Sequence, residues 1–290
     1  MKKTTPDERL HAARDPNTAS EDLAVLSQDE DWRVRANVAD SPRTPPDILA
    51  SLAGDEHRSV REFVARNPNT LADVLSLLAG DEHWSVRQRV AENPNTPPDA
   101  LARMSGDKGR GVRAAVARNP RTQADTLSLL AGDEHWSVRA SVARNPNTPP
   151  DALARMSGDK GRGVRAAVAS HPRTLADTLS VLAGDEHWSV RASVAHNPNA
   201  PADTLFSLAG DENWSVREFV ARNPRTQADT LSLLSGDENW YVREHVARNP
   251  NTPPDVLTTL ASDEDMDVRE AVLDNPSSPP LAVFTASERS

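Results

Sequence analysis

The sequence predicts an all-α fold, a helical-repeat solenoid with two short helices in each 26-residue repeat. Proline recurs in one unbroken register at Pro16, Pro42, Pro68, Pro94, Pro120, Pro146, Pro172, Pro198, Pro224, Pro250 and Pro276. A fixed period of this size means that one supersecondary unit is stacked on copies of itself. Within each period the aliphatics fall at helical rather than alternating spacing. The hydrophobic content is 37%, with six Trp, four Phe and one Tyr, which suits a thin two-layer structure better than a thick core.

Residues 1–16 read as an N-terminal half-repeat cap, with Arg9 in register with a second helix. Residues 17–276 hold ten repeats, and 277–290 a C-terminal half-repeat cap and tail, with Ser278–Ala286 reading as a first helix. Polar caps keep the ends of a solenoid from stacking further.

Arg43 to Pro68, RTPPDILASLAGDEHRSVREFVARNP, is the type unit. Thr44 is a good N-cap, Pro45 and Pro46 fit a first turn that needs no intrahelical N–H, and Asp47 favours the positive helix end. Leu49 and Leu52 share one face, and Gly54 offers a stop. Asp55 is placed to cap the second helix, on which Val60 and Val64 lie at i, i+4. Asn67 and Pro68 end it, since Asn tolerates the left-handed conformation that commonly finishes helices and Pro disfavours helix before it.

Comparison of the copies separates frame from free positions. Val34 and its equivalents through Val268 are all valine, and each is followed by arginine, Arg35 through Arg269. Asp29 and its equivalents through Asp263 are equally unvaried. The arginine falls inside the buried arc of the second helix, so it needs a partner. The aspartate six residues earlier, in the same or the adjacent repeat, supplies one. The ladder this predicts includes Asp55, Arg61, Asp81, Arg87, Asp107, Arg113, Asp133 and Arg139. An arginine row binding anions is the other reading.

These residues compose the pattern Asp-x-x-x-x-Val-Arg-x-x-Val-Ala-x-Asn-Pro-x-Thr-Pro-x-x-Leu-x-x-Leu-Ala, seen well at DEHWSVRQRVAENPNTPPDALARM, Asp81 to Met104. It resembles the leucine-rich repeat variant family, and the second half of the unit is similar to the second helix of HEAT repeats. The resemblance implies a right-handed superhelix of alternating α and 3₁₀ helices with a binding role. Some members of that family carry a cysteine-ligated iron–sulfur module. This chain has no cysteine, so no cofactor is carried over, and 26 residues leave room for two α-helices.

The position two before the valine varies: Trp32, Arg58, Trp84, Arg110, Trp136, Arg162, Trp188, Trp214, Trp240, Met266. One reading is a cation–π ladder between neighbouring repeats. The other is an exposed aromatic and guanidinium strip, with Tyr241 beside Trp240, that grips a peptide or stacks on bases. Part of the regularity is copying, because Pro97–Thr148 and Pro149–Ala200 differ at six of 52 positions. Phe63 and Phe219, on the exposed arc, read as partner anchors. Arg66, Arg118, Arg144, Arg222 and Arg248, just before Asn-Pro, form a basic ridge that dipole compensation alone would also produce.

GDKGRGVR, at Gly106–Arg113 and Gly158–Arg165, lacks the ending of a nucleotide-binding loop and reads as a variant capping turn, weak anion binding at the helix start being the other reading. His57, His83, His135 and His187 are one repeat apart and do not converge on a metal, so they read as solvated helix ends. No nucleophile, base and orienter are grouped, which predicts a non-enzyme. The net charge of −10 opposes general attraction to nucleic acid or to anionic membranes. The N-terminus has no apolar stretch behind its lysines, and the expectation is a cytoplasmic protein without a membrane partner. The favoured function is a scaffold for a protein or peptide along the second helices. The rivals are nucleic acid or another polyanion on the basic ridge, and an enzyme acting on nucleic acid. The repeat pattern leaves the oligomeric state open.

Overall fold

The computed structural model describes residues 5–280. They form α-helices joined by turns, and the chain divides into two compact units, Met1–Thr148 and Pro149–Ser290. In the first unit nine-residue helices, α1 (Pro6–Arg14), α3 (Trp32–Asp40), α5 (Arg58–Arg66), α7 (Trp84–Glu92), α9 (Arg110–Arg118) and α11 (Trp136–Arg144), alternate with seven-residue helices, α2 (Ser20–Leu26), α4 (Pro46–Leu52), α6 (Ala72–Leu78), α8 (Pro98–Met104) and α10 (Ala124–Leu130). The second unit repeats the pattern. Its short helices are α12 (Pro150–Met156), α14 (Ala176–Leu182), α16 (Ala202–Leu208), α18 (Ala228–Leu234) and α20 (Pro254–Leu260). Its long ones are α13 (Arg162–Ser170), α15 (Trp188–His196), α17 (Trp214–Arg222), α19 (Trp240–Arg248) and α21 (Met266–Asp274). Each unit is a helical-repeat solenoid. The first helix of every described repeat is α and not 3₁₀.

Within a unit the long helices pack successively on one another as a continuous layer, and each short helix packs on the long helices beside it. The core is the seam between the two layers. Leu49, Leu75, Val60, Val64 and Ala65 have no solvent exposure, and each fully buried Leu or Val stabilises by about 1.5–3 kcal/mol.

Buried polar groups join one repeat to the next. Arg61 Nε and Nη2 donate to both oxygens of Asp81 at 2.6 and 3.1 Å, and Nη1 donates to the carbonyls of Asp55 and Glu56 in its own repeat. The arginine therefore uses both aspartates, one through its carboxylate and one through its backbone. The same bidentate pairing joins Arg35 to Asp55, Arg87 to Asp107 and Arg113 to Asp133 in the first unit. In the second it joins Arg165 to Asp185, Arg191 to Asp211, Arg217 to Asp237 and Arg243 to Asp263. Arg139 Nη1 likewise donates to the Asp133 and Glu134 carbonyls. At the N-terminal end α1 stands where a second helix would, with Arg9 on Asp29. The Ser278–Ala286 helix expected from sequence lies largely outside the described residues.

Four local readings are corrected. Thr44 does not cap α4: Pro45 is the N-cap, and the Thr44 hydroxyl donates back to the Val38 carbonyl at 2.5 Å. Asp55 does not cap α5: His57 does, while Asp55 accepts the His57 N–H at 2.8 Å. Asn67 is extended, at φ −65° and ψ 129°, rather than left-handed. Its amide donates to the Ala39 and Ser41 carbonyls of the preceding repeat and its oxygen accepts the Asn69 N–H, which makes it a second inter-repeat tie. Gly54 stops nothing by a left-handed turn, because no described glycine has positive φ.

Candidate functional site

The second helices carry three rows, at the start, middle and end of each helix. Helix N-termini of the first unit carry Trp32, Arg58, Trp84, Arg110 and Trp136. The cation–π ladder expected along this row is absent among the described residues, where the cation–ring contacts are Arg66 over Phe63 and Arg222 over Phe219. The reach from repeat to repeat goes to histidine instead. Trp32 stacks on His57 at 3.8 Å, and Arg110 Nη1 meets His135 Nε2 at 2.8 Å. Arg58 does the same to His83, and Arg162 to His187 in the second unit. The histidines are half-buried N-caps, not solvated ends.

Two donors compete for the lone pairs of these rings. A guanidinium only donates, so Nε2 of His83 must accept from Arg58, which puts the proton on Nδ1 against Ser85 Oγ at 2.8 Å. Ser85 Oγ in turn donates to Glu62 Oε2 at 3.0 Å. A protonated Nδ1 cannot accept the Ser85 N–H 3.3 Å away, so in this tautomer that contact is not a hydrogen bond. Trp84, Trp136, Trp188, Trp214 and Trp240 remain exposed; Trp136 shows 61% of its surface.

The middle row is small in places and acidic in others. Ala114 and Ala140 are buried in the first unit, whereas Glu218 and Glu244 occupy the same place in α17 and α19. Glu218 accepts from Arg222 at 3.0 Å and Glu244 from Arg248 at 2.7 Å. His245 lies between them, Nε2 3.8 Å from Glu218 and Nδ1 3.8 Å from Glu244, with Nδ1 bonded to the Tyr241 carbonyl at 2.8 Å. Glu244 Oε2 is buried without a hydrogen-bond partner. Tyr241 meets Trp240 and Trp214 edge-on, at 5.1 and 6.1 Å. Sequence reasoning passed over these two glutamates. Their i, i+4 spacing to Arg222 and Arg248, one turn after an exposed Trp, was the available signal.

The end row holds the arginines read as a basic ridge. Arg66 is paired with Asp40 of the preceding repeat, Arg222 and Arg248 with the buried glutamates, and Arg144 reaches its own helix carbonyl. Arg118 is exposed. Three of the five are therefore neutralised by carboxylates. Arg222, His245, Arg248, Asn249 and Pro250 line an open notch of about 320 Å³. Phe63 and Phe219 are half-buried rather than exposed, because Arg66 covers the first and Arg222 and the edge of His196 flank the second.

At Gly106–Arg113 the Asp107 carboxylate takes the Gly109 N–H at 2.7 Å, filling with its own negative charge the place an anion would need. No described group of three His, Asp or Glu is placed to hold a metal ion, and no described helix is long and apolar enough to cross a membrane. A further set of exposed apolar side chains, Leu77, Leu129, Val181, Phe206 and Leu233, stands on the first helices. Sequence reasoning did not foresee it.

Comparison with known proteins agrees with this architecture. The leucine rich repeat variant family matches at residues 32–57, 84–108, 110–135, 136–160, 188–213 and 240–265. Among solved structures the chain is similar to a leucine-rich repeat variant with a novel repetitive structural motif, at 27% identity and a TM-score of 0.58, over 76% of this chain and 87% of that one. It is also similar in fold to Kap121p bound to Pho4p, at 12% identity and a TM-score of 0.50, over 99% of this chain and 45% of that one. The curated proteins give no match.

Proposed function

The chain belongs to the leucine-rich repeat variant family, and from that premise we propose that it is a non-enzymatic scaffold that binds a protein or peptide along the face of its second helices. One observation carries the reading: five tryptophans, Trp84, Trp136, Trp188, Trp214 and Trp240, stand exposed on that face without the cation–π packing that would have given them a structural task. Tryptophan is the residue type most enriched among interface anchors. The frame beneath is fixed by bidentate ion pairs and asparagine ties, so little ordering is left to oppose binding. In the structure of Kap121p, which shares the fold, a helical-repeat protein is bound to a protein, Pho4p.

The polyanion reading is disfavoured by the ridge itself, since Arg66, Arg222 and Arg248 already face carboxylates. The non-enzymatic part is supported by the Ser85, His83 and Glu62 grouping. There the outer histidine nitrogen accepts from Arg58 and the inner one carries the proton toward Ser85, so the histidine is not placed to take the proton of the hydroxyl.

The test is affinity capture from the native cell with the intact chain and with a Trp84→Ala/Trp136→Ala/Trp214→Ala/Trp240→Ala variant. A protein partner held by the intact chain in high salt and lost by the variant, at unchanged melting temperature, is the expected outcome. Capture of nucleic acid that falls away steeply with salt and ignores the tryptophans would refute the reading.

A further inference from the structure

The negative charge of the chain is concentrated. Residues 185–267 hold 15 Asp and Glu against 6 Arg, nine of the ten net negative charges, and all of them lie in the second unit. Along this stretch the helix-start row reads Trp188, Trp214, Trp240 and Met266, all exposed, with no arginine interrupting it. Two residues before each stands Glu186, Glu212, Glu238 or Glu264, one oxygen 3.2–3.5 Å from the ladder arginine of the preceding repeat but the side chain 86–90% exposed. Where the row carries Arg110 or Arg162, the same place holds Lys108 or Lys160, whereas Glu56 stands before Arg58. Among the described residues the cation–ring contacts are to Phe63 and Phe219 and not to the indoles of this stretch. One turn along α19 from Trp240, Glu244 is 7% exposed and its Oε2 lacks a hydrogen-bond partner, a buried carboxylate oxygen with unused capacity beneath the aromatic row.

We propose that this rim of α15, α17 and α19 binds a basic peptide segment, its Arg or Lys side chains lying on Trp188, Trp214 and Trp240 with their charges met by Glu186, Glu212 and Glu238. The inference rests on the reading of the second helices as the partner-binding face. Indole is the best aromatic face for a cation, and a guanidinium stacked on it still turns its N–H groups toward carboxylates. The stacking distance also selects a peptide conformation. Packed helices lie about 8–10 Å apart, and a polyproline II segment, with three residues per turn at about 3.1 Å each, returns a side chain to the same side every 9 Å or so. Cations at i, i+3 and i+6 therefore meet three successive tryptophans. An α-helical ligand covers that distance in about six residues, which is not a whole number of turns.

The probe is a dye-labelled peptide of four Arg-Pro-Ala triplets, titrated with the full chain at low salt and read by fluorescence anisotropy. Saturable binding is expected. A Glu-Pro-Ala peptide should not bind, and a peptide of the same composition with its arginines contiguous should bind more weakly. Trp214→Ala/Trp240→Ala should weaken binding about tenfold, since removing each cation–π interaction weakens it about three- to fivefold. Glu212→Lys/Glu238→Lys should abolish it, and Leu77→Ala/Leu129→Ala, on the first helices of the first unit, should leave it unchanged. All these side chains are exposed, so an unchanged melting curve shows that each variant is folded. No saturable binding, equal binding of the Glu-Pro-Ala peptide, or an equal loss in the first-unit variant would overturn the proposal. If the native partner still requires the second-helix face while the arginine peptide does not bind, the basic-peptide inference alone falls. If the peptide binds as expected but the native partner ignores that face, the broader reading falls.

Discussion

Replacing Arg113 by methionine removes one cation from the middle of the first unit and leaves Asp133 buried. In the native chain Arg113 Nε and Nη2 meet the Asp133 oxygens at 2.5 and 3.1 Å, with the two side chains only 11% and 6% exposed. Burial pushes the Asp133 carboxyl up, but the hydrogen bonds from Arg113 and from the His135 N–H outweigh it and hold the group below its ordinary value. Without Arg113 the burial penalty prevails. Breaking one side of such a pair costs about 3–5 kcal/mol, which in a domain of this size lowers the melting temperature by about 6–20 °C. Asp133→Leu strands the arginine less completely, since Nη1 keeps the Asp107 and Lys108 carbonyls at 2.8 and 3.3 Å. In the double variant both charges are gone, and the remaining loss is mainly the unpaired backbone groups. The double-mutant cycle, followed by far-UV circular dichroism in urea, should therefore give a coupling of about 2–3 kcal/mol. Single variants within about 0.5 kcal/mol of wild type, or strict additivity, would refute the view that the ladder holds the repeats together.

Acid should unfold the chain through the same groups. Asp55, Asp107, Asp185 and Asp263 all lie below their ordinary values, burial raising them but the arginine and backbone hydrogen bonds lowering them more. Depressed carboxyls stabilise fully above the unfolded value of about 3.9, and that contribution disappears as pH falls through the folded values, so a melting temperature flat from pH 7 down to pH 2 would contradict it. Asn119→Ala removes amide bonds to the Ala91 and Asn93 carbonyls at 2.8 and 2.9 Å and frees the Arg121 N–H; a loss of about 2–4 kcal/mol is expected in urea titration. Gly163→Ala in α13 meets no atom within 4 Å and should stabilise by about 0.5–1 kcal/mol. Trp136→Ala, at an exposed site, should change stability by less than about 0.5 kcal/mol.

What was legible in the sequence is what a single helix wheel determines. Val60, Val64, Leu49 and Leu52 repeat at helical spacing, and all four are buried. The burial of Arg61 followed from the same wheel. What was not legible depends on the stack. Thr44 followed by two prolines has the composition of an N-cap, but its hydroxyl is spent on the Val38 carbonyl, six residues back. Asn67 before proline has the composition of a left-handed cap, yet its partners are the carbonyls of Ala39 and Ser41, on the neighbouring repeat. The Trp and Arg row was read along itself, whereas each Arg in it reaches a histidine 25 residues on. Glu244 looked like any surface glutamate, and it is buried, with Arg248 on one oxygen at 2.7 Å and His245 3.8 Å from the other.

Hydrogen–deuterium exchange of the full chain, with and without its captured partner, locates the binding face without any substitution. Binding along the second helices predicts slowed exchange in α15, α17 and α19 and unchanged exchange in the short helices. Protection confined to the first helices, around Leu77, Leu129 and Leu233, would refute that assignment and move the binding face to the other layer.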